Sequence, residues 1–286
     1  MSFSAWCLRT TFRIFDVKHG GGKFLMNGGD YSNPPNKMLK GLHKECRQVN
    51  NENVFTLYKN KGNKKAILYL HGGSYINSFA KAHWKFLINI ANKTNRDIIA
   101  PDYPLVPRTY KESYEMVIEI YNDMLKKYNN DNIIIMGDSA GGGFALGFCM
   151  YLRDNNIPLP QKNIMISPYL DMAETNPDIA AMEKNDPWLS YELAEETTKY
   201  AGEDDLHTPY LSPMYGELDN LNDMYIFFGT YDMLYPDGIK FKKMCEEKQI
   251  KLKFTEKKKM MHVYPILPVK EAKEALKDIL EIINEN

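Results

Sequence analysis

A β-branched apolar run, Ile133-Ile134-Ile135, passes through Met136 straight into Gly137-Asp138-Ser139-Ala140-Gly141, followed by Gly142-Gly143-Phe144-Ala145-Leu146. A strand that meets G-x-S-x-G and then a run of small residues must turn sharply into a helix, with the serine at the tip of the turn. Side chains at Gly137 and Gly141 would clash where strand and helix come close, and the serine is forced into a strained backbone conformation. The strain lifts the Ser139 hydroxyl above the sheet edge, and the helix N-terminus beneath it favours developing negative charge.

The rest of the chain fits around that turn. Its 286 residues, 44% of them apolar, suit one large α/β domain over 1–286. The net charge of −1 gives no reason to expect nucleic acid or an anionic membrane surface as partner. The region 174–205 is rich in acids and 240–259 in lysine, as solvated helix faces are. Four cysteines, Cys7, Cys46, Cys149 and Cys245, lie far apart without C-x-x-C spacing, so neither a disulfide framework nor a zinc site is expected. No apolar run reaches eighteen residues, and Arg9 and Arg13 interrupt any signal-peptide core. The expectation is a cytoplasmic protein without metal, cofactor or membrane contact.

Periodicity outlines the architecture. Residues 1–45 read as a helical first part and an irregular second part outside the main sheet, with no clean strand. Short apolar strands are expected at 54–58, at an edge, and at 66–70, 97–100, 133–136, 164–167, 224–228 and 251–254. Helices are expected at 84–91, 110–128, 142–152, 236–248 and 270–284. Strands alternating with helices imply a mostly parallel sheet covered on both faces. The segment 170–222 is too long for a crossover loop and should be an insertion with helices of its own.

Acyl transfer through a serine needs a base, a group orienting the base, and donors for the oxyanion. Only His207 and His262 follow Ser139. His262 lies between the last strand and the terminal helix and is the expected base, with His207, inside the insertion, the alternative. The strand at 224–228 runs into Gly229-Thr230-Tyr231-Asp232, making Asp232 the expected acid, and Asp237 the runner-up. The chain order Ser, Asp, His fits an α/β-hydrolase and not a trypsin-like or subtilisin-like protease. His71-Gly72-Gly73-Ser74-Tyr75 follows strand 66–70, where oxyanion donors would be placed. Gly73, Ser74 and Ala140 are the expected donors and Gly72 the turn residue.

These motifs resemble the hormone-sensitive-lipase-like branch of the α/β-hydrolases, a group of carboxylesterases and acetyl-esterases. The resemblance rests on His71–Tyr75, Ala100–Pro107, Gly137–Gly143, Ile166–Asp171 and Gly229–Leu234 with Met261–Pro265. It spans about 66–270. The family usually has a third glycine where this chain has Ser74, and Asp-Tyr-Arg where it has Asp102-Tyr103-Pro104. The resemblance implies a small helical cap made by 1–45 and 171–215, and a homodimer is common in the family. It implies a serine carboxylesterase for small or short-chain acyl esters. Deacetylation of acetylated sugars or other acetylated small molecules is the alternative, and a non-catalytic ligand-binding protein on the same scaffold the less favoured one. Tyr75, Phe79, Trp84, Tyr169 and Trp188 are candidates to line the substrate pocket. No long exposed apolar stretch is expected for docking on a lipid surface.

Overall fold

A computed structural model describes residues 1–19, 31–39, 41–191 and 194–285. The glycine-rich part of the irregular segment expected before residue 45 lies outside the described residues. Among the described residues eight strands form one sheet: β1 (His43–Val49), β2 (Glu52–Tyr58), β3 (Ala66–Leu70), β4 (Asp97–Pro101), β5 (Ile133–Asp138), β6 (Lys162–Ile166), β7 (Asp223–Gly229) and β8 (Leu252–Lys257). Their order is β1-β2-β4-β3-β5-β6-β7-β8, antiparallel at β1–β2 and β2–β4 and parallel from there on. β5 therefore lies deep inside the parallel region, and its C-terminal end is shielded from both edges.

Alternation along the buried strands sends side chains to two cores. Leu68, Leu70, Ile133, Ile135, Ile226 and Phe228 face one, and Ile67, Tyr69, Ile134, Met136, Ile164 and Phe227 face the other. Helices α1 (Phe3–Ile14), α2 (Lys81–Lys93), α3 (Tyr110–Lys127) and α4 (Ala140–Asp154) are followed by two five-residue helices, α5 (Asp178–Met182) and α6 (Ala194–Thr198). Helices α7 (Tyr235–Glu247) and α8 (Lys270–Asn284) complete the chain. α3, α4 and α7 cover the first core, and α1, α2 and α8 the second. α3 starts where the Glu112 carboxylate accepts the Thr109 N–H at 2.9 Å, and it buries Tyr114, Val117, Tyr121 and Met124 on one stripe.

The expected strands and helices are present within a few residues, with one omission. β1 is a strand where the sequence suggested none. Its residues His43-Lys44-Glu45-Cys46-Arg47-Gln48 are largely exposed, so no hydrophobic pattern marks it. It exists through its ladder with β2 and takes the edge position expected for 54–58.

The segment 171–215 holds α5, α6 and single 3₁₀ turns, and α1 is tied to it. Arg9 and Arg13 donate to the carbonyls of Asn185 and Lys184 at 3.1 and 3.0 Å, and Lys18 donates to that of Glu183. Three cations, two on α1 and one in the turn after it, thus bind consecutive carbonyls just beyond the C-terminus of α5. The outward face of α1 departs from expectation: Met1, Phe3, Trp6 and Ile14, with the adjacent Phe15, are exposed large apolar residues. Arg9 and the buried Ala5 and Phe12 mark the helix's inner side. No helix among the described residues is long and apolar enough to cross a membrane.

Candidate active site

Ser139 stands between β5 and α4 with φ 52° and ψ −123°, a strained position for a side-chain-bearing residue. The turn closes because Gly137 and Gly141 lack side chains: a Cβ on Gly137 would lie 2.2 Å from the Gly141 carbonyl oxygen, and one on Gly141 would lie 2.1 Å from that of Leu70. The backbone of Ser139 is pinned from several sides. Its N–H donates to Ile166 at 2.8 Å, and its carbonyl accepts from Gly142, Gly143 and Tyr169.

The loops after β7 and β8 bring two further groups to this point. His262 Nε2 lies 2.9 Å from Ser139 Oγ, and His262 Nδ1 lies 3.0 Å from Asp232 Oδ1. Asp232 Oδ1 also accepts the Leu234 N–H at 2.9 Å, which fixes the carboxylate against its own loop. The loops are stitched to each other by Tyr231 N–H donating to Met260 at 2.8 Å. Val263, in a left-handed conformation, donates to Ser167 Oγ at 3.0 Å and so holds its neighbour His262 over the end of β6. All three side chains are buried, Ser139 retaining 8% exposure.

The alternatives weighed for these positions lie elsewhere. His207 is exposed and pairs with Asp205 at 2.8 Å. Asp237, in the first turn of α7, accepts from Asn176 at 2.8 Å; burial pushes its carboxyl up to about 6.

The loop after β3 is clamped beneath Ser139. Asp138 Oδ1 accepts the Tyr69 hydroxyl at 2.6 Å and the Gly72 N–H at 3.0 Å, while Oδ2 lies 3.2 Å from His83 Nε2. Burial alone would raise the Asp138 carboxyl, but His83 and these hydrogen bonds outweigh it and hold the group below its ordinary value. With its N–H spent on Asp138, Gly72 acts as a turn residue. Gly73, at φ +128°, accepts from Ile76 and Asn77 through its carbonyl, and the loop's hydrogen bonds leave the amides of Gly73 and Ser74 unspent.

A cavity of about 40 Å³ opens beside Ser139, lined also by Ser74, Ala140, Tyr169, Glu174, Leu189 and Met233. Of the aromatic residues expected to line a pocket, Tyr169 does. Tyr75 is buried next to it, its hydroxyl donating to the Ala140 carbonyl at 2.9 Å and its ring stacked on Tyr200 at 4.2 Å. Trp188 meets the His262 ring edge-on at 6.0 Å. Phe79 and Trp84 do not reach the cavity: they stack on each other at 4.2 Å in the second core, where Trp84 also abuts Phe55. The chain turns away after Ser74, which puts α2 on the opposite face of the sheet.

Two acids at the site carry no motif in the sequence. Asp186, from the segment 171–215, accepts from Trp188 and Leu189 N–H through Oδ1 at 2.8 and 3.2 Å, and from Met233 N–H through Oδ2 at 3.0 Å. Ligand atoms of Asp186, Asp232 and His262 lie within 4.8 Å of one another. Both ring nitrogens of His262 are already hydrogen-bonded, so the trio is a polar network and not an open ligand set. Burial and the Asp232 charge raise the Asp186 carboxyl. Burial works against protonation of His262, but Asp232, then Asp186 and Asp138, outweigh it and raise the imidazole above its ordinary value. Glu174 is the second acid. The only sequence signal for either is the acid-rich character of 174–205.

The profile of the alpha/beta hydrolase fold family matches residues 67–266. The chain belongs to this family. It stands in the hormone-sensitive-lipase-like branch that its motifs resemble. It is similar to an esterase of Acinetobacter venetianus, 29% identical over 221 residues that cover 75% of this chain and 73% of that protein. It is similar as well to an acetyl-hydrolase of Streptomyces hygroscopicus, 26% identical over 211 residues covering 71% of each. Among solved structures, an esterase/lipase from an uncultured bacterium superposes with a TM-score of 0.83 at 25% identity, covering 99% of this chain and 98% of that one.

Proposed function

We propose that this α/β-hydrolase is a serine carboxylesterase that cleaves small, short-chain acyl esters through an acyl-enzyme on Ser139. The observation that carries the reading is the unbroken contact line Ser139 Oγ, His262, Asp232, at 2.9 and 3.0 Å. Asp232 accepts the Nδ1–H and so leaves Nε2 as the acceptor facing the hydroxyl. As Ser139 Oγ attacks the ester carbonyl, His262 takes its proton. Asp232 stabilises the resulting imidazolium. The N–H groups of Gly73, Ser74 and Ala140 receive the oxyanion, and losing one such donor typically costs about 3–4 kcal/mol of transition-state stabilisation. His262 then passes its proton to the leaving alcohol, and water repeats the sequence to release the acid.

In this reading α1 and 171–215 form the cap over the cavity. The site needs no metal or cofactor for these steps. Four free cysteines suit a reducing compartment, which favours the cytoplasm.

Hydrolysis of p-nitrophenyl acetate tests the proposal. The protein should release p-nitrophenol, and Ser139→Ala should lower kcat by a factor on the order of 10³ or more with folding intact. A fluorophosphonate probe should label Ser139. Unchanged turnover in the variant, or labelling of another serine, overturns the assignment. A protein that binds esters but releases no product is the non-catalytic alternative.

A further inference from the structure

The amides of Gly73 and Ser74 can receive an oxyanion only if their loop is fixed relative to Ser139. The hold is on Gly72. Its N–H donates to Asp138 Oδ1 at 3.0 Å, and its carbonyl lies 2.8 Å from His71 Nδ1. A carbonyl only accepts, so Nδ1 is the donor there. The Gly72 carbonyl and the Gly73 N–H share one planar trans peptide, and fixing the first fixes the direction of the second. A Cβ on Gly72 would collide with Asp138 Oδ2, so the carboxylate lies directly against the loop. Asp138 immediately precedes Ser139, and the clamp therefore ties the oxyanion loop to the nucleophile's own turn.

What holds Asp138 comes from the opposite face of the sheet to α4. His83, buried in the first turn of α2, accepts the Ala80 N–H through Nδ1 at 2.8 Å. An amide N–H only donates, so the ring's proton is on Nε2, 3.2 Å from Asp138 Oδ2. The start of α2 thus selects the tautomer that donates to Asp138. With Oδ2 occupied by His83, Oδ1 is left to accept the Tyr69 hydroxyl and the Gly72 N–H.

We propose that His83 is a positioning residue for the oxyanion hole, acting through Asp138 on the loop 72–74. The inference rests on the esterase reading above and adds to it a residue that never touches the substrate. The two ring nitrogens serve different ends: Nδ1 satisfies a helix terminus, and Nε2 sets the geometry of the site.

Two substitutions separate these ends. An Asn amide reaches about as far as Nδ1 and a Gln amide about as far as Nε2. His83→Asn can still accept the Ala80 N–H but leaves Asp138 Oδ2 without its donor, whereas His83→Gln keeps a donor that reaches Asp138. With p-nitrophenyl acetate, His83→Asn should lower kcat by about 10- to 100-fold with KM within about threefold of wild type. His83→Gln should stay within about fivefold of wild type in kcat. The second readout is inhibition by 1,1,1-trifluoroacetone. Ser139 Oγ adds to its carbonyl carbon, the serine proton passes to His262, and the carbonyl oxygen becomes an oxyanion in the hole. Its Ki should rise in His83→Asn by the factor by which kcat/KM falls, which a merely structural role would not bring about in the folded protein.

Circular dichroism establishes that each variant is folded. Turnover and Ki near wild type in folded His83→Asn, a fall in kcat without the rise in Ki, or a loss in His83→Gln as large as in His83→Asn each overturn the proposal. If His83→Asn does not fold, Asp138→Asn decides. Its amide N–H opposes the Nε2–H of His83, so it should show the same paired loss, and adding His83→Gln, whose amide oxygen can face the new donor, should regain part of it. No regain overturns the proposal. Ser139-dependent turnover by the wild-type protein is read first: its absence sinks the esterase reading and this one with it, while indifference to His83 in an active enzyme sinks this one alone.

Discussion

Three residues far apart in sequence meet because each sits at the C-terminal end of a parallel strand, the first on a turn whose geometry only glycine neighbours permit. That dependence makes Gly141→Ala a steric test. The new methyl would need the space of the Leu70 and His71 carbonyl oxygens, 2.1 and 2.4 Å away. Leu70 cannot move without parting β3 from β5, where it faces Gly137, and the His71 carbonyl is held by the Tyr103 hydroxyl. The substitution should destabilise the fold by about 1–3 kcal/mol, read in a urea titration, and lower turnover as the elbow opens. His262 allows a test of charge. In the proposed mechanism it must be neutral to accept the serine proton, and its pKa is raised, so activity should rise with pH through a value above histidine's ordinary 6.5. The acid limb of kcat/KM measures it. His262→Ala and Asp232→Asn should each cost on the order of 10³-fold or more, and the double variant little beyond that, because residues acting as a unit do not add. Independent multiplication of the two losses would dissolve the unit.

At the scale of elements, the segment 171–215 reaches Asp232 and His262 through Asp186. Asp186 accepts the Met233 N–H and so holds the loop that carries Asp232, while its charge adds to that of Asp232 on His262. Behind it, α1 grips the same segment: the Arg9 guanidinium lies 4.5 Å over the Tyr231 ring and bonds the Asn185 carbonyl. Asp186→Asn removes the charge and cannot repeat all three accepted hydrogen bonds. It should lower kcat/KM by about 10- to 100-fold, as a slight misplacement of a reacting group does. Its acid limb should move to lower pH, since one of the charges raising His262 is gone. A loss of activity with the limb unmoved would mean that Asp186 serves the loop's shape alone. This layer explains what the sequence reveals and what it hides. Ser139, His262 and Asp232 are legible because strand ends and glycines around them follow from backbone geometry, and so are the buried strands, whose apolar runs admit little else. Asp186, Glu174 and β1 are not. The two acids sit in irregular chain where no periodicity fixes direction, and β1 owes its existence to pairing with β2 and not to a buried face. Phe79 and Trp84 show the converse: large aromatics near a motif are as easily core as pocket, and only the turn after Ser74 sends them to the far side of the sheet.

The whole molecule sets the range of acyl chains. A cavity of about 40 Å³ beside Ser139 has room for roughly three or four waters, comparable to an acetyl group with a little to spare. Each methylene that fits contributes roughly 0.8 kcal/mol of transfer energy, whereas one that does not forces overpacking at about 1–3 kcal/mol. The walls that would have to yield are held from both sides, by Ser139, Tyr169 and the stacked Tyr75 and Tyr200 on the sheet side and by the anchored loop of Asp186 on the other. Across p-nitrophenyl esters, kcat/KM should therefore peak within the range from acetate to about hexanoate, weighted toward its short end, and fall steeply beyond. The exposed Phe3, Trp6 and Ile14 of α1 give the protein an apolar patch that could be read as a lipid-docking face, but none of them lines the cavity. Docking there would not widen the site. Rates on tributyrin should follow its dissolved concentration without a jump at the solubility limit, and Phe3→Ser with Trp6→Ser should leave that profile unaltered. A sharp rise on emulsified long-chain triglyceride that disappears in the double variant would instead make α1 an interfacial anchor and the cavity a site that opens on lipid.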